Sequence, residues 1–141
     1  YLDDPVATAS HKIREPLPQG GERIWHRTGD AGFLDDQGRI WLVGRTGQNV
    51  AGHWPFQVES RAERLDFVHR AGLVSLEGQA TLGVVLVDPP QDWHELLLAQ
   101  TGLPGIRIES MPLDPRHNAK INRPALIALL DQARAEPTAP N

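Results

Sequence analysis

Apolar positions along the chain follow two different periods, and the changes between them mark the expected elements. In "PFQVESRAERLDFVHR", Val58, Ala62, Leu65 and Val68 recur at spacings of three and four, which places them on one face of a helix. Pro55 stands where a first helical turn would begin. The runs "GFLDD" and "RIWLVGR" are short and β-prone, and the intervening "DDQG" suits a tight turn, so a hairpin is predicted. "RAGLVSL" and "ATLGVVLVD" predict two more strands, paired across "EGQ" by the same logic.

In "PPQDWHELLLAQTG", Asp92 stands three residues before Glu95, the spacing of a capping box, and Gly102 closes the predicted helix. "GIRIESMPL" predicts a strand. A last helix starts with Asn122 as cap and Pro124 in its first turn, and buries Leu126, Leu129, Leu130 and Ala133. Residues 1–22 read as loop and turn, with at most a short helix near "PVATASHKI". From the second hairpin strand onward the order is α, β, β, α, β, α. The expected fold class is α+β, a small mixed β-sheet with packed helices, preceded by a β-hairpin.

Composition limits what such a fold can do. The 141 residues are 40% hydrophobic and 23% charged, enough for one compact domain with a piece of another attached. Net charge is −4 and the arginines are scattered, which makes a nucleic-acid backbone a poor partner. The absence of cysteine excludes disulfide frameworks and thiolate chemistry. No apolar run approaches the roughly 20 residues needed to span a bilayer, and no signal peptide opens the chain, so a cytoplasmic location is expected. The opening "YLDDPVATAS" reads as the interior of a longer polypeptide.

Three places combine turn geometry with charge. In "RTGD", the Asp30 carboxylate can accept two hydroxyl hydrogen bonds, as a ribose offers them; a turn that merely uses Asp and Gly is the commoner case. In "VGRTGQNV", Arg45 leaves a strand end beside two glycines and can donate a planar fork to hydroxyls or phosphate, or simply be a surface arginine. Lys120, one of only two lysines, falls in a predicted loop between strand and helix. Its ammonium is a mobile point charge suited to developing negative charge, although a lysine before a helix is usually just solvated. The histidines at 11, 26, 53, 69, 94 and 117 have no close helical pair, so no metal site is expected; His117 is of interest only as a neighbour of Lys120. Neither a Gly-x-Ser-x-Gly elbow nor a Walker loop is present.

Taken in order, "HRTGDAGFLDDQGRIWLVGRTGQNV", "PFQVES" and "PLDPRHNAKINRPAL" resemble the C-terminal part of the adenylate-forming enzymes. That is the AMP-dependent synthetase/ligase superfamily of acyl-CoA synthetases, adenylation domains and luciferases. The family reads Tyr-Arg-Thr-Gly-Asp, a hairpin ending Gly-Arg, Pro-x-Glu-Val-Glu, and Gly-Lys-Ile-x-Arg. "YLDDPVATAS" also resembles its Tyr-Leu-x-x-Pro-x-x-Thr segment.

The resemblance implies that residues 1–45 are the C-terminal end of a large ATP- and acyl-binding domain, 46–135 a mobile lid, and 136–141 a disordered tail. It implies acyl-adenylate formation with release of pyrophosphate, possible onward transfer to CoA or another acceptor, and a fragment inactive alone. Asp30 and Arg45 would contact the ribose of ATP, and Lys120 would bridge the α-phosphate and the substrate carboxylate. ATP and Mg²⁺ would be held mainly by the upstream large domain, the implied partner along with a carboxylic acid. The chain departs from the pattern at Gly47, the hinge position that usually carries Asp or Lys, and at Ala119, usually Gly. "QNVAGH" is also about four residues shorter than the Ile-Lys-x-x-Gly hairpin that lines the pantetheine tunnel, which makes CoA the less secure acceptor. "RHNAKI" resembles some fatty-acyl ligases and β-lactone synthetases of olefin pathways, hence an expected setting in fatty acid metabolism. The alternatives are a non-catalytic binding or regulatory module with the lid fold, or one half of a split ligase.

Overall fold

The computed structural model describes residues 5–135; the tail expected at 136–141 and the first four residues lie outside them. The chain divides into two compact units between Thr46 and Gly47. Among the described residues no helix is long and apolar enough to cross a membrane.

The first unit holds helix α1 (Pro5–His11) and two antiparallel hairpins. β1 (Lys12–Pro16) pairs with β2 (Glu22–His26), from Lys12↔His26 to Pro16↔Glu22. This hairpin corrects the expectation of loop over residues 1–22. Its strands carry little alternation to read. They are held by the turn, where the Gly20 N–H donates to the Leu17 carbonyl, and by polar cross-strand bonds: Arg14 Nη1 to Glu22 Oε2 at 2.7 Å and Trp25 Nε1 to Glu15 Oε2 at 2.7 Å. The predicted second hairpin forms, from β3 (Asp30–Leu34) and β4 (Ile40–Arg45), with a bulge between Ala31 and Gly32. A Cβ at Gly32 would lie 2.7 Å from the Trp41 carbonyl oxygen, so the bulge requires glycine.

The second unit is built on a three-stranded sheet. Helix α2 (Pro55–Ala62) precedes β5 (Val68–Leu76) and β6 (Gln79–Leu86), an antiparallel pair; helix α3 (Trp93–Thr101) then leads to β7 (Gly105–Arg107), parallel to β6. β6 is central. Alternation along the strands creates two cores. Ala71 and Leu73, opposite Val84 and Leu82, pack with Val58 and Ala62 of α2 and Trp93 and Leu97 of α3. On the other face, Val74 and Leu76 pack with Leu126 and Leu130 of helix α4 (Arg123–Ala135). Gly72 and Gly83 face each other across the strands, and a Cβ on either would lie 2.7 Å from a Leu126 methyl. This glycine pair makes the seat that Leu126 fills.

Several helix expectations need correction. α2 ends at Ala62, because the chain turns where Leu65 N–H reaches the Ala62 carbonyl and Val68 N–H the Leu65 carbonyl; Val68 opens β5 instead. Both side chains still reach the first core, so the helical spacing was satisfied by a turn and a strand. Asp92 caps α3 without a side-chain bond, so the capping box is absent, while Gly102 closes the helix in the left-handed region as expected. Asn122 caps α4, its Oδ1 accepting the Ala125 N–H at 3.2 Å. Leu126 and Leu130 are buried, but Leu129 and Ala133 are exposed: α4 covers the sheet with a narrower stripe than predicted. The strand expected over "GIRIESMPL" shrinks to β7, and a further small hairpin, β8 (Leu113–Asp114) with β9 (His117–Ile121), precedes α4.

The open edge of β5 is closed by charge. Glu59 Oε1 accepts the Leu73 N–H at 2.8 Å, and Glu63 Oε1, one helical turn on, accepts the Ala71 N–H at 3.2 Å. Arg123 Nη1 donates to Glu59 Oε1 at 2.9 Å and also to the Leu73 carbonyl. The Arg123 and Glu59 side chains are only 22% and 12% exposed, which strengthens the pair and raises the cost of breaking it. Arg123→Met should therefore lower unfolding free energy by roughly 3 kcal/mol in urea denaturation, since Glu59 is left without its partner at a largely buried position. A loss below about 1 kcal/mol, typical of an exposed pair, would contradict this.

Candidate functional site

The RTGD segment and the end of β4 meet at the open end of the second hairpin. Asp30 and Arg45 are cross-strand partners, and Arg45 Nη1 lies 3.5 Å from Asp30 Oδ1. Thr28 Oγ1 accepts the Asp30 N–H at 3.2 Å, and the Gly29 carbonyl accepts both the Thr46 N–H at 2.8 Å and the Thr46 hydroxyl at 3.0 Å. The loop is thus tied down from both sides. At 3.5 Å the Asp30–Arg45 contact is loose, which leaves carboxylate lone pairs and guanidinium N–H groups for a ligand. Asp30 and Arg45 line a cleft of about 970 Å³ with Thr28, Gly29 and His26. His26 was not a sequence candidate; only its place beside RTGD hinted at it.

The far end of the same hairpin is held by one carboxylate. Asp35 Oδ1 accepts the backbone N–H of Gln37 at 3.0 Å and of Arg39 at 2.9 Å, and Oδ2 accepts Arg39 Nε at 2.6 Å and Trp41 Nε1 at 2.8 Å. The Trp41 indole bond and then the Arg39 backbone bond hold the Asp35 pKa down from 3.8 to about 2, outweighing partial desolvation.

Lys120 lies in the other unit, within β9 rather than in a loop. Alternation along β9 explains its direction: Ile121 packs in the core beside Leu126, so the preceding residue faces outward. Lys120 is exposed and makes no ion pair with the described residues. Ala119 sits in the same strand with φ outside the positive range, so its Cβ meets no left-handed backbone strain. "QNVAGH" closes as a tight turn: Val50 and His53 bridge, Ala51 and Gly52 have φ of 48° and 86°, and Asn49 Oδ1 accepts the Gly52 N–H at 2.9 Å. Gly47 has φ of 86° with open space around its Cα.

Sequence reasoning missed Glu59 and Arg123 as a pair, although both fall inside the motifs quoted above, and it missed Arg70, whose Nη2 donates to the Ala119 carbonyl at 3.1 Å. Among the described residues no three His, Asp or Glu side chains gather as metal ligands.

No protein-family model matches the chain. It is 32% identical over 148 residues to an olefin beta-lactone synthetase of Stenotrophomonas maltophilia (strain K279a), covering 89% of this chain and 26% of that protein. It is 37% identical over 101 residues to a 4-chlorobenzoate–CoA ligase of Arthrobacter sp, covering 64% of this chain and 17% of that protein. Among solved structures, Klebsiella oxytoca NpsA in complex with 3-hydroxyanthranilyl-AMSN superposes with a TM-score of 0.68 at 25% identity, over 91% of this chain and 28% of NpsA. The chain spans about a quarter of the length of the first of these relatives.

Because the Asp35 pKa is depressed on folding, its bonds stabilise the hairpin above pH 3.8 and are lost as pH falls through about 2. The Trp41 indole N–H resonance should therefore titrate with a midpoint near 2, and a midpoint at 3.8 would contradict the assigned bonds.

Proposed function

We propose, on the premise that the chain belongs to the superfamily of AMP-dependent, adenylate-forming ligases and matches their C-terminal part, that the full-length protein activates a carboxylic acid as its acyl-adenylate. The carboxylate oxygen attacks the α-phosphorus of ATP, a P–O bond to the acid forms, and pyrophosphate leaves. Asp30 accepts hydrogen bonds from the ribose hydroxyls and Arg45 donates to the same sugar. Lys120 places its ammonium between the α-phosphate and the incoming carboxylate. Attack brings two anions together, and a cation between them lowers the barrier more in the transition state than before it.

The observation that carries this reading is the loose Asp30–Arg45 pair on the wall of the cleft, where both groups keep bonding capacity a ribose can use. Residues 1–45 then form the end of the large domain and 46–135 the mobile lid. The division between Thr46 and Gly47, and the positive φ of Gly47, support a hinge there. Glycine permits the rotation and adds no side chain to bias it. An ion that neutralises the phosphates would be held mainly by the upstream domain.

For the second step, the tight turn at Ala51–Gly52 supports an acceptor other than CoA. Formation of a β-lactone, the product in the Stenotrophomonas relative's name, fits that better than ligation to CoA, as in the Arthrobacter relative's name.

The test is ATP–pyrophosphate exchange by the full-length protein with octanoate, 3-hydroxypalmitate and 4-chlorobenzoate. Lys120→Ala should lower exchange by about 100- to 1000-fold, while Lys12→Ala should change it by less than about 3-fold. Equal effects of the two substitutions, or no exchange with any of the acids, would contradict the reading and favour a non-catalytic module.

A further inference from the structure

Lys120 sits in a part of the backbone that its own hairpin leaves largely unheld. β8 is two residues long, and its register reaches β9 only at the ends, Leu113↔Ile121 and Asp114↔His117, with an irregularity between. The three residues between those pairs, including Ala119 and Lys120, have no strand opposite them. Among the described residues, Arg70 of β5 reaches this stretch from outside the hairpin. Its Nη2 donates to the Ala119 carbonyl at 3.1 Å, the peptide immediately before Lys120. Arg70 Nε in turn lies 3.9 Å from Glu63 Oε1, the carboxylate oxygen that accepts the Ala71 N–H. The planar guanidinium thus bonds at one edge to the strand that carries the lysine and lies with its other edge near the Glu63 carboxylate beside β5.

The geometry points to Arg70 as a positioning residue for Lys120: by holding the Ala119 carbonyl it sets the backbone from which the ammonium is presented to the reacting phosphate and carboxylate. This rests on the reading of Lys120 as the catalytic group. Arg70 itself touches no substrate. It acts on the reaction only through the placement of Nζ, and misplacement by about 1 Å costs on the order of 100-fold in rate.

The experiment is a double-mutant cycle in the full-length ligase, with ATP–pyrophosphate exchange measured on the most active of the three acids above. Arg70→Met keeps the stem and removes the donor. It should lower kcat by roughly 10- to 100-fold with the KM for ATP changed less than about 3-fold and the melting temperature nearly unchanged. Arg70→Lys, which restores a donor, should recover part of the loss. In the Lys120→Ala background, Arg70→Met should cause no further loss, because the group it positions is gone. The proposal is overturned if Arg70→Met leaves kcat intact while Lys120→Ala abolishes exchange, if it raises KM alone, or if it costs the same factor with and without Lys120. Should Arg70→Met fail to fold, Arg70→Lys carries the same cycle with a smaller expected drop. If Lys120→Ala itself keeps full exchange, the reading of Lys120 fails first, and that result is distinct from the others.

Discussion

An exposed strand edge must have its backbone groups satisfied, and in this chain charged side chains do so. The outer side of β5 presents the N–H groups of Ala71 and Leu73 and the carbonyl of Leu73, and Glu63, Glu59 and Arg123 take them. Glu59 comes from α2 and Arg123 from the first turn of α4, the helices that cover opposite faces of the sheet. One buried pair therefore joins both layers to the edge. It also fixes where α4 begins, three residues after Lys120. Leu126, in its glycine seat, fixes the same helix from the other end of its first turn.

Each unit positions its own candidate residues on a separate scaffold. In the first unit, a hairpin locked at its turn by Asp35 delivers Asp30 and Arg45 side by side at its open end. In the second, the closed β5 edge holds Arg70, and Arg70 holds the strand of Lys120. If Lys120 acts as proposed, a slim ammonium on a mobile stem enters between two anions more easily than a planar fork. Two other arginines of the second unit serve other purposes: Arg123 is nearly buried in its pair, and Arg134 meets Glu77 at the surface.

What could be read in the sequence was what neighbours in sequence decide. The β3–β4 and β5–β6 hairpins are legible because short apolar runs flank turn residues, and α4 because Asn122 caps it. The β1–β2 hairpin was not, since its ladder relies on the turn and on Arg14, Glu22, Glu15 and Trp25 rather than on an apolar face. Leu65 and Val68 kept helical spacing while leaving the helix, because burial in one core constrains position and not conformation. Asp30, Arg45 and Lys120 were singled out through ordered motifs, and the structure pairs Asp30 with Arg45. The strand around Lys120 was not legible, because its partner strand is only two residues long. Arg70 bonds to a carbonyl 49 residues away, and no local pattern announces such a contact.

The most direct measurement of the edge closure is amide hydrogen exchange at Ala71 and Leu73. If Glu63 and Glu59 cap these groups as part of the folded core, the two amides exchange as slowly as those of Leu82 and Val84 in the central strand. Exchange at Ala71 and Leu73 orders of magnitude faster than in β6, as for a frayed edge open to water, would contradict the account.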